Sequence, residues 1–199
     1  MKKITLCVLL AFCFILLAGC NKKNKDISIE DLKTNTLLVK NDGSVQAAFV
    51  EAFDQEYYNL TELNDYISQE ISKYNSEIGM DAVTLGSLEQ RDGNVVLLLN
   101  YTNLDHYSKL NQIETVMMDI TNIDNSGIVL PDIFYSAKDN EAVTKETVLD
   151  NDKFKVLMVN EAINVIVDGK IKYFSNGQLL DSSKLQTAAE EQTIIIYKP

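Results

Sequence analysis

The stretch "LEQRDGNVVLLLNY", Leu88 to Tyr101, decides the fold. Asp92-Gly93 is a dipeptide that tolerates the positive φ angles of a tight hairpin turn, and strand-forming residues flank it. A strand from Ala82 to Gln90 should therefore fold back on a strand from Asn94 to Tyr101. Val95-Val96-Leu97-Leu98-Leu99 is apolar at successive positions, which suits a strand covered on both faces. Asp42-Gly43, Asp168-Gly169 and Asn176-Gly177 repeat the turn chemistry, and Asn125-Ser126-Gly127 is a looser instance. Glycines spent in this way predict a chain dominated by hairpins and antiparallel sheet.

Working outward, Thr36 to Lys40 should pair with Val45 to Phe53 across Asp42-Gly43. Glu114 to Ile123 alternates, with Val116, Met118 and Ile120 on one face, as a half-buried strand does. Two helices lie between the strands. Leu60, Leu63, Tyr66, Ile67, Ile71, Tyr74 and Ile78 recur at steps of three and four and make one apolar stripe. Asn59 is the expected N-cap, Glu62 completes a capping-box-like pair, Tyr58 and Leu63 form a hydrophobic staple, and Gly79 closes the C-terminus. The second helix takes Thr102 as cap, Asp105 in its first turn, and Leu104, Tyr107 and Leu110 on one face. The pattern predicts an α+β fold, mainly antiparallel sheet with about two helices packed on one face.

Residues 125–150 carry weaker signals: Pro131 could open one helical turn and Thr144 to Leu149 another. From Phe154 the pattern is β again, at Lys155 to Val159, Ala162 to Val167, Lys170 to Ser175 and Thr193 to Tyr197. These strands either extend the first sheet or form a β-rich C-terminal subdomain over 151–199. A single globular domain over 34–199 is the preferred division.

The N-terminus gives an address. Lys2 and Lys3 precede an apolar run of 15 residues, Ile4 to Ala18, too short for a bilayer span yet suited to a signal-peptide core. Leu17-Ala18-Gly19-Cys20 then resembles the lipobox of bacterial lipoproteins, in which the cysteine is acylated and becomes the first mature residue. Residues 1–19 are thus expected to be a lipoprotein signal peptide, Cys20 the lipidation site, and residues 20–33 a tether. The alternatives are an ordinary secretory signal or an uncleaved anchor. Two acyl chains on one residue hold a protein at a membrane without spanning it. The order of the mature chain, through "VNEAINVIVDGKIKYFSNGQ", also resembles lipoproteins of Gram-positive bacteria, and a single arginine among 17 lysines fits an AT-rich coding sequence. The resemblance implies a lipid-anchored location at the cell membrane, facing outside the cytoplasm, and brings no activity with it.

Cysteine usage and charge agree with that address. Cys7 and Cys13 lie in the leader, so the mature chain keeps only Cys20 and forms no intrachain disulfide. The 180 residues that follow cleavage are enough to fold without staples. Loss of Lys2 and Lys3 leaves 16 basic side chains against 29 acidic ones, a formal charge of −13. Repulsion then makes nucleic acid a poor partner. Lys22, Lys23 and Lys25 are the local exception, placed where anionic headgroups would be.

Catalytic chemistry finds little to stand on. His106 is the only histidine, no Gly-x-Ser-x-Gly elbow occurs, and no serine stands three residues before a lysine. One histidine cannot build a zinc site. Asn122-Ile-Asp124-Asn-Ser126-Gly127 imitates the start of a calcium loop, but its twelfth position is Ile133 instead of a bidentate Glu. Asp150-Asn151-Asp152 and Glu190-Glu191 read as solvated loop charges. No catalytic, cofactor-binding or metal-binding residues are assigned. Tyr57-Tyr58, Tyr107, Tyr135 and Tyr173 are recognition candidates, although Tyr58, Tyr66, Tyr74 and Tyr107 also have places in the core stripes. The expected function is a non-enzymatic binding module at the cell envelope with a protein or cell-wall partner. The alternative is a small extracytoplasmic hydrolase with paired carboxylates, which two buried, adjacent acids in a cleft would favour. An exposed apolar patch would favour the module.

Overall fold

The computed structural model describes residues 26–30, 32–188 and 191–199. Cys20, the leader and the three lysines after Cys20 lie outside the described residues.

The hairpin that opened the sequence is present as expected. β3 (Val83–Arg91) and β4 (Asn94–Tyr101) pair antiparallel from Val83 opposite Tyr101 to Arg91 opposite Asn94. Asp92 and Gly93 both take positive φ, 49° and 75°, the left-handed pair that a two-residue turn between twisted strands requires. β1 (Thr36–Val39) and β2 (Val45–Ala52) form the other early hairpin, and β2 pairs with β4.

The remaining strands sort into two sheets. They are β5 (Thr115–Asp119), β6 (Ile133–Ser136), β7 (Ala142–Thr144), β8 (Lys155–Val159), β9 (Asn164–Val167), β10 (Lys170–Phe174), β11 (Gly177–Asp181), β12 (Lys184–Thr187) and β13 (Thr193–Lys198). One sheet has the order β11-β12-β9-β1-β2-β4-β3, the other β5-β8-β13-β10-β6-β7. All pairings are antiparallel except that of β1 with β9. The fold is therefore α+β and mainly antiparallel.

Apolar residues on both faces of the central strands explain this layering. Leu37, Val39, Val165 and Leu185 of the first sheet meet Leu157, Val159, Ile195 and Tyr197 of the second in one shared core. Val156, Met158, Ile194 and Ile196 point the other way, under Ile120, Ile123, Leu130 and Val148. Leu38 and Ala48, on the outer face of the first sheet, are covered by Ile27, with Ile29 and Leu32 beside it. Packing thus begins within the segment expected to be a tether, at the three apolar residues it contains. The C-terminal strands serve both sheets, and their inward residues belong to the shared core.

Several local expectations change. Asp168-Gly169 and Asn176-Gly177 are not hairpin turns: β9 and β11 belong to the first sheet and β10 to the second, so each dipeptide carries the chain between sheets. Gly169 is there for close approach, since a Cβ would sit 2.4 Å from the Lys198 carbonyl oxygen. The strand expected over Glu114–Ile123 stops at Asp119, and Ile120–Asn125 turns into a 3-10 helix that buries Ile120 and Ile123. Asn125-Ser126-Gly127 ends that helix instead of turning a hairpin. Pro131 opens no helix. The residue before proline is driven toward extended backbone, and the chain runs on into β6.

Three α-helices among the described residues complete the fold. α1 (Leu60–Ile78) has the expected caps: Asn59 Oδ1 accepts from the Thr61 and Glu62 amides, and Gly79 closes the end at φ 72°. α2 (Leu104–Asn111) is capped by Asn103, whose Oδ1 accepts from the His106 amide at 3.1 Å. Thr102, the expected cap, is held on the sheet by its amide N–H, which donates a hydrogen bond to the Ala82 carbonyl. α3 (Lys145–Leu149) follows Thr144 as expected. No helix among the described residues is long and apolar enough to cross a membrane.

Candidate functional site

The tyrosines divide into two groups. Tyr101 and Tyr107 are buried, with rings edge to face at a centroid distance of 5.5 Å. The Tyr107 hydroxyl donates to Glu161 Oε2 at 2.7 Å, and Asn111 Nδ2 donates to the Tyr101 hydroxyl at 3.1 Å. Burial holds the Tyr101 hydroxyl up to about 12, and burial with the Glu161 charge drives Tyr107 higher still. These hydroxyls stay protonated at neutral pH and tie α2 to β4 and to the loop before β9. Tyr74 bonds His106 Nδ1 at 3.0 Å, so the only imidazole of the chain links α1 to α2.

Buried polar side chains are Thr36, Gln46, Thr115, Ser175, Thr187 and Thr193, with no carboxylate among the described residues in that set. Among those residues no three His, Cys, Asp or Glu gather as a metal site. In the loop at 122–127, Ser126 Oγ donates to the Ile123 carbonyl and accepts from the Ile128 amide, as turn chemistry requires. Asn151 Oδ1 accepts from the Lys153 amide in the same way. Glu190 lies outside the described residues.

The second group of aromatics leads to a surface. Tyr57 and Tyr58 pack edge to face, and Tyr58 stacks on Phe53 at 4.9 Å. Tyr57 is 77 % exposed and Tyr66 62 %. Of the ten large apolar side chains exposed among the described residues, Tyr57, Tyr58, Tyr66, Ile78 and Met80 lie on α1 or next to its ends. The helix itself contains no buried residue. Its stripe is divided: Ile67, Ile71 and Tyr74 lean on the shared core, while Tyr66 and Ile78 do not.

A helix seated this lightly leaves a groove. α1 lies along β3, and the shallow, solvent-open space between them is about 660 Å³. Ser68, Ser72 and Ser76 line one wall with Ile71 and Asn75, and Val83, Thr84 and Leu85 form the other. Serines at four-residue steps keep the helix wall low. β3 is the last strand of its sheet, and no strand among the described residues pairs with its outer side. At the closed end Asn75 reaches over: its Oδ1 accepts from the Val83 amide at 3.0 Å and its Nδ2 donates to the Val83 carbonyl at 2.8 Å. The sequence reading missed this groove, because Asn75 and the serines read only as the polar side of a helix.

No protein-family model matches the chain, and no curated protein or solved structure matches it.

Proposed function

We propose that this chain is a lipid-anchored extracytoplasmic module, attached through Cys20, that binds a protein or cell-wall-associated partner in the groove between α1 and β3. The observation that carries the reading is that groove: an open space of about 660 Å³ between a strand whose outer edge pairs with no described strand and a helix with no buried residue. The anchoring half rests on Leu17-Ala18-Gly19-Cys20. Asp26 is already engaged with Lys40 at 2.7 Å. Asp26 is six residues beyond Cys20, so at about 3.5 Å per residue the folded body would sit within roughly 20 Å of the acylated cysteine. A partner would then be met close to the membrane.

Two experiments test the two halves. Cys20→Ala should abolish incorporation of a fatty-acid label, and continued labelling would end the anchoring assignment. For binding, crosslinking in living cells should capture a discrete partner that is lost in Ser72→Arg, a substitution that fills the groove from its helix wall. Capture indifferent to Ser72→Arg, or hydrolysis of a wall fragment by the purified chain, would overturn the binding reading.

A further inference from the structure

The exposed edge of β3 has a definite hydrogen-bonding phase. Asp92-Gly93 is a two-residue turn, so Arg91 and Asn94 form the first bonded pair, and alternate residues before Arg91 turn their N–H and C=O groups away from β4. Gln90 and Leu88 are therefore outward-facing. A register shift between Leu85 and Ser87 resets the count, and Leu85 and Val83 are outward again. Asn75 gives independent support for that phase, because it bonds both backbone groups of Val83. Its carboxamide occupies, for one residue, the place a neighbouring strand's peptide group would take. Beyond Val83 the edge continues through Leu85 and Leu88, and no strand among the described residues takes that place.

We propose that the groove takes an extended, basic segment of a partner protein, which pairs its backbone with β3 as an eighth strand of the sheet. The proposal rests on the binding function above and specifies its chemistry. Strand addition supplies affinity through main-chain bonds, while the walls select side chains. Three observations fix the partner. Val83 to Leu88 carries no charge, so this part of the edge lacks the defence that the Glu89–Arg91 ion pair gives the part near the turn. Asp81 is the one charged residue that lines the groove among the described residues, and α1 as a whole carries Glu62, Asp65, Glu70 and Glu77 against Lys73, so lysines or arginines are favoured by the surrounding charge. A second copy of this chain fits poorly, since edge-to-edge pairing would bring two acidic helices together. The bulge at Gly86 adds twist that opposes a flat sheet edge but that a single flexible strand can follow.

The test uses the full chain in mild detergent and a nine-residue peptide alternating lysine with valine or threonine. That peptide should bind, and the same peptide with glutamate for lysine should bind at least about tenfold more weakly. N-methylation of alternate amides reads the backbone directly. One series, with the amides that face β3, should lose at least about tenfold, and the complementary series should keep its affinity. Leu88→Pro removes an outward N–H without touching the ladder to β4, and should weaken the peptide by a similar factor. Equal binding of both N-methylated series, together with loss in Ser72→Arg, would overturn strand addition and leave the groove standing. Peptide binding unaffected by Ser72→Arg would overturn the groove itself. A dimer of the chain abolished by Leu88→Pro would assign the edge to self-pairing and overturn the proposal.

Discussion

β13 and β3 are the two extremes of this fold. β13 lies between β8 and β10, and five of its six residues are buried, Ile194 and Ile196 in one core and Ile195 and Tyr197 in another. β3 has one strand neighbour, and only Val83 of its nine residues is buried. β13 is therefore fixed from four directions and β3 from two. Stability is thus concentrated at the junction of the sheets, and the opposite margin, with α1 resting on it, is left available for contact.

The strongest way to break that contrast is in β13. Ile195 is fully buried between the sheets, and Ile195→Ala should cost about 2–5 kcal/mol through lost transfer energy and a cavity that a two-sided core cannot collapse. Urea unfolding measures it. A loss below about 1 kcal/mol would mean that the sheets do not share a core at this point.

Alkaline pH probes the tyrosine ties next to that core. Tyr101 is neutral in the fold up to about 12, against 10.0 when unperturbed, chiefly because it is buried. A raised pKa in the folded state means that its contribution is complete below pH 10 and is lost as pH rises toward about 12. The two-unit shift corresponds to about 3 kcal/mol at most. Tyr107 and Tyr197 are raised in the same direction by burial, so unfolding and tyrosinate absorbance should rise together above pH 10. Tyrosinate absorbance completed near pH 10 in a chain that is still folded would show these hydroxyls to be open to solvent.

The legible and the hidden parts of the structure follow from the range of the forces involved. The β3–β4 hairpin, α1 with Asn59 and Gly79, and the turn into α3 are set by residues a few positions apart, and sequence reading placed them closely. The division into two sheets depends on partners far apart in the chain, such as Thr36 opposite Asn164, for which no local signal exists. The apolar run of β13 was plain, but such a run announces burial on both faces without naming the sheet. Glycine misled for the same reason: Gly169 is required by the approach of Lys198, a tertiary fact, and not by a hairpin. The candidate site was hidden because a groove beside β3 exists only once β3 is known to be an edge. Tyr66 showed the limit of periodicity, since it shares the stripe of Ile67 and Ile71 and yet is mostly exposed.

Capping glycine gives a smaller effect at the margin itself. Gly79 takes φ 72°, and a Cβ there would meet no atom within 4 Å, so Gly79→Ala isolates the cost of left-handed backbone. That cost is about 1–2 kcal/mol. If denaturant unfolding shows no change, the end of α1 is loose in solution and the groove lacks a fixed closed end.

The smallest effect bears most directly on function. Tyr66→Ser removes a large ring from a helix position that is 62 % exposed, and tyrosine and serine have similar helix propensities. If the outer half of the α1 stripe is unpartnered surface, the substitution should change stability by no more than about 0.5 kcal/mol. A thermal unfolding midpoint displaced by less than a few degrees would match this. A loss of more than about 1 kcal/mol would mean that the Tyr66 ring is already covered by its own chain, and the margin of β3 and α1 would then be core like β13 rather than a surface kept for a partner.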